Sequence, residues 1–418
     1  MAVSRDIGLA YKLVRRMGRS WSTRRKLAGR LEQTSRLRPG TIRIAVYYAD
    51  GPVNLYQIRQ WYAPLAELAK THPVAIVVRN PATMLTLLEE SPVPVVYARQ
   101  TVDLETFVAQ QPVAMTLYVN QNSRNFQMMR YGRMWHVFIN HGESDKMYMT
   151  TNQFKAYDYA FVAGDAARAR LSANLWDYDV EKRTLAIGRP QADHFAGTLP
   201  YTPDDRTVVL YAPTWEGDRA AAAYGSIATH GTALVRALTA DPRFRVIYRP
   251  HPRSGVADPA YRAAHLAIVA LLDEQNKSDS TAQHVYDDGP ALGWQLAAAD
   301  VAITDISAMV YDRLATGRPL LVTRPASPAA DVDETGYLSA AEWLRADDAA
   351  DIVAAVDRVL LDEDARVRLE FWARHHFGET TPGVATARFQ RAVDTLVERW
   401  NDFAARSTAV ASTPESRP

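Results

Sequence analysis

The feature that most constrains this chain is a strand–helix alternation that runs twice and is broken once by a proline-rich stretch. The first run starts at Thr41. Residues 42–48, 73–79, 94–98, 113–119, 135–140, 159–162 and 185–188 read as strands. They are short apolar runs with little polar alternation, as expected of strands covered on both faces. Helical stretches lie between them, for example 54–70, with Trp61, Leu65 and Leu68 turned inward. Residues 189–205 hold Pro190, Pro200 and Pro203 and no period, and read as a linker. The second run predicts strands at 208–212, 245–248, 284–286, 301–304 and 319–323, and helices at 229–239, 257–276, 292–299 and 307–316. Three helical runs follow, at 349–361, 365–375 and 386–404. Strands that alternate with helices form parallel sheets with helices on both faces. The expectation is an α/β chain of two doubly wound domains, 41–195 and 206–405, with a cleft between the carboxyl edges of their sheets.

Composition excludes several chemistries. There is no cysteine, which removes disulfides, thiolate catalysis and thiolate zinc sites. No apolar run reaches the roughly 18 residues that span a bilayer, and the N-terminus lacks the apolar core of a signal peptide. Charge is unevenly placed. Residues 1–40 carry eleven Lys or Arg against Asp6 and Glu32, a charge of +9. The whole chain is +1, so the remainder is −8. Ile7, Tyr11, Val14, Trp21, Leu27 and Leu31 give this head an imperfect helical stripe. It reads as a basic amphipathic helix facing an anionic membrane surface, with a solvated helix packed on its own domain as the main alternative and nucleic-acid binding as the lesser one. Residues 406–418 are small and polar and read as a disordered tail.

Four stretches fall at predicted strand ends, where doubly wound sheets bind ligands. His141 follows the 135–140 strand in Asn140-His141-Gly142-Glu143-Ser144-Asp145-Lys146. An imidazole there suits a general base for a hydroxyl nucleophile, and Lys146 could hold an anion. Tyr211-Ala212-Pro213-Thr214-Trp215 follows the next domain's first strand, and Thr214 with nearby amides could touch phosphate. Tyr248-Arg249-Pro250-His251-Pro252-Arg253 presents a rigid, cation-rich turn suited to pyrophosphate, with Arg249 and His251 as the candidate contacts. The last stretch is Thr304-Asp305-Ile306-Ser307. Here Asp305 is expected to cap the following helix and, with Ser307 and the amides after it, to meet phosphate. There is no Walker A or GxGxxG sequence, and the ten His show no metal-ligand spacing.

Taken in order, these stretches resemble the CDP-glycerol glycerophosphotransferase family, the teichoic-acid polymerase group. The resemblance rests on His141-Gly142 with Lys146, Tyr211 to Trp215, Arg249 to Pro252, Thr304 to Ser307 with Asp312, Arg318-Pro319, and the late Phe377-Gly378 segment. It covers about residues 130–390. It implies a GT-B fold of two Rossmann-like domains, the C-terminal one binding a CDP-activated donor and the N-terminal one an acceptor. It implies His141 as catalytic base, His251 and Ser307 on the donor phosphates, and Asp312 at the ribose. The reaction would be attack of an acceptor hydroxyl on the donor's β-phosphorus with release of CMP. The acceptor would be a polyol-phosphate, a glycan or a lipid-linked chain at the cytoplasmic face of the cell membrane. No tightly bound cofactor and no protein metal site are expected; a divalent ion, if used, would ride on the donor. Glu143-Ser144-Asp145 replaces the family's Thr-Pro-Leu, and Ile306 and Ala308 replace its Tyr and second Ser, so the acceptor or the transferred group is open to change. The alternatives are a GT-B glycosyltransferase or sugar-nucleotide epimerase using a UDP- or GDP-sugar, and, from another class, a non-catalytic membrane-binding protein.

Overall fold

A computed structural model describes residues 21–34, 37–142, 151–289 and 292–412. Two parallel sheets organise it. The first has seven strands: β1 (Ile44–Tyr48), β2 (Val74–Val78), β3 (Val95–Tyr97), β4 (Met115–Tyr118), β5 (Trp135–Phe138), β6 (Tyr159–Val162) and β7 (Thr184–Ala186). Their order is β3-β2-β1-β4-β5-β6-β7. The second has six strands: β8 (Thr207–Ala212), β9 (Phe244–Tyr248), β10 (Val285–Tyr286), β11 (Val301–Thr304), β12 (Leu320–Thr323) and β13 (Glu342–Leu344), in the order β10-β9-β8-β11-β12-β13. The strand order reverses between β1 and β4 in one sheet and between β8 and β11 in the other. At these points the helical crossovers diverge and leave a crevice at the strands' carboxyl ends. The expected α/β, GT-B-like class is the observed one.

The central strands form where expected because they are buried on both faces. All five residues of β1, β2 and β9 are buried. Each sheet separates two hydrophobic clusters, one per face; Val46, Ile76 and Leu117 lie on one side of the first sheet, and Tyr47, Val77 and Tyr118 on the other.

Three local expectations change. The single helix at 54–70 is two pieces, Leu55–Arg59 and Tyr62–Leu68. Pro64 lacks the N–H that would bond back to Gln60 in a continuous helix, so the break falls there. The final helix, Val384–Ser412, leaves its own domain and packs on the first sheet: Phe389, Val393 and Leu396 join the cluster of Val46 and Ile76. That helix continues to Ser412 rather than giving way to a disordered tail at 406; residues 413–418 lie outside the described residues. The basic head is described from residue 21, and Ile7, Tyr11 and Val14 lie outside the described residues. Residues 21–32 are helical. Leu27 is buried and Leu31 half-buried against the first domain, while Trp21, Arg24, Arg25, Lys26 and Arg30 face outward.

The domains meet closely. A Cβ on Gly164, just after β6, would lie 2.5 Å from the carbonyl oxygen of His376, so only glycine allows that approach. Asp193 of the linker accepts a hydrogen bond from the Thr386 amide at 2.7 Å.

Candidate active site

His141 sits one strand from the first crevice, just past β5. The chain turns there because Asn140 adopts φ +56°, and the Asn140 carboxamide closes the turn by accepting from the His141 amide at 2.8 Å and donating to the Gly142 carbonyl. Trp61 donates its indole N–H to the Asn140 carbonyl. The imidazole Nδ1 lies 2.8 Å from the carbonyl of Val119, at the end of neighbouring β4. A carbonyl only accepts, so Nδ1 carries a proton, and in the neutral ring the lone pair is on Nε2. The ring packs edge-on against Tyr56, 5.8 Å between centroids. This is an oriented imidazole. Lys146 lies outside the described residues.

A second set of candidate residues comes from three adjacent strand ends of the second sheet. The loops after β9, β8 and β11 carry His251, Thr214 and Ser307, side by side by the register Tyr211↔Tyr248 and Ala212↔Thr304. His251 Nδ1 accepts the Arg253 amide at 3.1 Å, so in the neutral ring Nε2–H is a donor. The ring edge is open to solvent, but desolvation by the surrounding loops, then the Arg253 charge, holds its pKa below the usual imidazole value. It is a neutral donor at pH 7, opposite in tautomer to His141. Arg253 lies 3.7 Å over the Trp215 ring, which gives Trp215 a positioning role as well as a packing one. Ser307, not Asp305, caps the Ala308–Leu314 helix, accepting from the Met309 amide at 3.2 Å.

Two residues the sequence did not single out hold these loops. Glu216 accepts the amides of Gly255, Ala257 and Asp258 at 3.0, 2.9 and 3.1 Å, clamping the β8 and β9 loops together. Burial acts to raise its pKa, but its own backbone amide and those three amides outweigh it and the pKa falls below the usual carboxylate value. Arg313 is fully buried and donates to the carbonyls of Leu296, Ala299, Asp300 and Pro319, closing the end of the helix before β11. Burial, then Arg318, lowers its pKa to about 9.

Three residues expected to contact ligand are engaged within the protein. Asp305 is fully buried beneath the cleft floor. Its carboxylate accepts the Thr214 amide at 2.7 Å, the Ser226 amide at 3.1 Å and the Thr323 hydroxyl at 2.6 Å, so it braces the loops and does not face phosphate. Burial raises its pKa to about 6 despite those donors. Arg249 is tied to Asp287 and to the Gly289 carbonyl. Asp312, expected at the ribose, forms a buried ion pair with Arg189 of the linker, both side chains 6% exposed. Burial raises the Asp312 pKa and Arg189 opposes it. Arg189 also donates to Gln60, and lies next to Gly142. Arg189 lies in the stretch expected to be linker. A signal was present, since Gly188-Arg189-Pro190 repeats the Gly317-Arg318-Pro319 triplet. Among the described residues no group of three or more His, Asp or Glu could hold a metal ion.

Comparison with known proteins decides the class. Residues 139–327 match the family described as CDP-Glycerol:Poly(glycerophosphate) glycerophosphotransferase. This segment is a glycerophosphotransferase-family domain. It runs from the His141 turn through the loops after β8, β9 and β11. No curated protein matches the chain. Among solved structures, a Listeria monocytogenes protein described as a UDP-N-acetylglucosamine 2-epimerase is similar at TM-score 0.57 and 14% identity, over 86% of this chain and 98% of that one. The wall teichoic acid polymerase TagF is similar at TM-score 0.52 and 14% identity, over 85% and 89%. S. aureus MnaA, solved with UDP, is similar at TM-score 0.50 and 13% identity, over 86% and 97%. At these identities the likeness is one of GT-B-type fold.

Proposed function

We propose that this chain moves a glycerol-phosphate, or related polyol-phosphate, group from a CDP-activated donor to an acceptor hydroxyl in cell-surface glycopolymer synthesis. The observation that carries the reading is the pair of opposite histidine tautomers inside the family-matched segment. His141 Nε2 takes the proton of the attacking hydroxyl. A new bond forms from that oxygen to the donor's β-phosphorus, and the bond from this phosphorus to the bridging oxygen breaks. CMP leaves with that oxygen. His251 Nε2–H, Ser307 and the Thr214 loop hold the phosphate oxygens as charge shifts toward the leaving group. Such catalysis is mainly positioning and electrostatic stabilisation. Asp312 reaches a ribose only when Arg189 releases it.

The outward face of the 21–32 helix supports a peripheral seat on an anionic membrane surface at the cytoplasmic face. Trp21 is 65% exposed beside Arg24, Arg25 and Lys26. No helix among the described residues is long and apolar enough to cross a membrane. The test is a thermal-shift titration with CDP-glycerol, CDP-ribitol, CMP, UDP-N-acetylglucosamine and GDP-mannose, since a ligand of the folded state raises its stability by mass action. A shift confined to the cytidine compounds is expected. A shift confined to UDP or GDP compounds would move the chain to the sugar-nucleotide alternative.

A further inference from the structure

The buried pair of Arg189 and Asp312 joins the His141 turn to the Ser307 helix. Asp312 lies on the Ala308–Leu314 helix that Ser307 caps. Arg189 lies just past β7, and its guanidinium reaches back into the first domain. Its Nη2 donates to the Gln60 carboxamide oxygen at 3.3 Å as well as pairing with Asp312. Gln60 adjoins Trp61, whose indole N–H holds the Asn140 carbonyl just before His141. A Cβ on Gly142, just after His141, would lie 3.7 Å from Arg189 Nη1 and 4.0 Å from both Nη2 and Gln60 Oε1. The guanidinium therefore rests against the turn itself. Close packing does not set the spacing here. A cavity of about 50 Å³ opens beside the pair, lined among others by Trp61, Asn140, Gly142, Arg189, Gln191 and Phe377.

We infer that Arg189 is a positioning residue: paired with Asp312 through turnover, it holds the Ser307 helix at a fixed distance from the His141 turn. This rests on the transfer reading above and gives the linker arginine a part in it. Both side chains are 6% exposed, so separating them leaves two unpaired charges in a site closed to water. That cost keeps the pair made when the donor binds, and Asp312 stays off the ribose. A planar guanidinium can hold Asp312 and Gln60 at once in one geometry, which a lysine ammonium cannot reproduce. Transfer needs an attacking hydroxyl at His141 in line with a phosphorus held at the Ser307 helix. A misplacement of about 1 Å in such an arrangement costs about 10²-fold in rate. Arg189 touches no reacting atom; it acts through the turn and the helix it joins.

Two readouts test this, and the first needs no turnover. The chain has no cysteine, so nitroxides attached at Val102→Cys and Leu361→Cys, both exposed and one in each domain, report the interdomain distance by pulsed electron paramagnetic resonance. The intact pair should give one narrow distance peak. Arg189→Leu with Asp312→Leu, which leaves no buried charge alone, should broaden it. Arg189→Lys should broaden it less, and it carries the test if the double variant does not fold. The second readout is CMP release from CDP-glycerol with a hydroxyl acceptor. The double variant should lower kcat about 10²-fold and leave the donor KM unchanged, and Arg189→Lys should keep part of the rate. A pair that only stabilises the fold would move the melting temperature and neither the peak width nor kcat. Peak widths unchanged in both variants overturn the inference. So does a raised donor KM at wild-type kcat, which returns Asp312 to the ribose. Broadening in a chain whose wild type releases no CMP leaves the clamp standing and removes the transfer reading.

Discussion

Replacing Asp305 by asparagine tests whether this residue braces the donor loops rather than serving as a ligand. Asp305 is fully buried, and its pKa is raised from 3.8 to about 6. In the folded protein it protonates near pH 6, and in the unfolded chain near 3.8. Ionised Asp305 therefore destabilises the fold. The penalty is absent below about pH 4, grows as pH rises toward 6, and is complete above it. The difference corresponds to about 3 kcal/mol. Asparagine keeps the shape. Its carbonyl oxygen can accept the Thr214 and Ser226 amides, and its NH₂ can donate to the Thr323 hydroxyl, which rotates to accept. Urea unfolding of wild type and Asp305→Asn, followed by tryptophan fluorescence, should be compared from pH 4.5 to 7.5. Taking the difference between the two proteins cancels every other carboxylate. The variant should be more stable at pH 7.5, and its advantage should shrink as pH falls toward 4.5. Asp305→Ala should instead lose stability at every pH, by about 1–3 kcal/mol for each of the two amides left without an acceptor. An Asn–Asp difference that does not change with pH would refute the argument, as would Asp305→Ala and Asp305→Asn behaving alike.

Other consequences can be checked the same way. Arg189→Leu alone leaves Asp312 buried and unpaired and should cost about 3–5 kcal/mol, while Arg189→Leu with Asp312→Leu should recover much of that loss in the same urea assay. Glu216→Ala removes the acceptor of three loop amides, and should raise the KM for the CDP donor more than it lowers kcat; an unchanged donor KM would separate that clamp from the donor loops. Reversing Arg24, Arg25 and Lys26 to Glu, all exposed, should release the protein from anionic liposomes without disturbing the buried Leu27; continued pelleting would place the membrane contact elsewhere.

Most of the fold was legible because its strands are covered on both faces and read as uninterrupted apolar runs. β13 was not: Glu342-Trp343-Leu344 is too short to show a period, and the sheet's edge fixes it through pairing with Leu321, Val322 and Thr323. The break between residues 59 and 62 was signalled by Pro64 and overlooked because the apolar spacing runs through it. His141, His251 and Ser307 could be placed because ligand loops follow strand ends. What each polar side chain does could not, because that depends on partners distant in sequence. Asp305 looked like a helix cap next to Ser307, yet it meets Thr214, Ser226 and Thr323. Arg249 looked like an anion ligand and meets Asp287. Arg189 looked like linker and meets Asp312, 123 residues away. The histidine tautomers were equally hidden, since Val119 and the Arg253 amide select them.

The most direct measurement is ³¹P NMR of the protein with CDP-glycerol and a hydroxyl acceptor, for wild type and His141→Ala. The account predicts growth of a CMP resonance together with a new phosphodiester on the acceptor. In the variant that growth should slow by roughly 10²–10⁴, the usual worth of general acid–base catalysis. An intact CDP-glycerol signal, with turnover of UDP-N-acetylglucosamine by the same preparation, would contradict the donor. CMP release at the wild-type rate in His141→Ala would contradict the base.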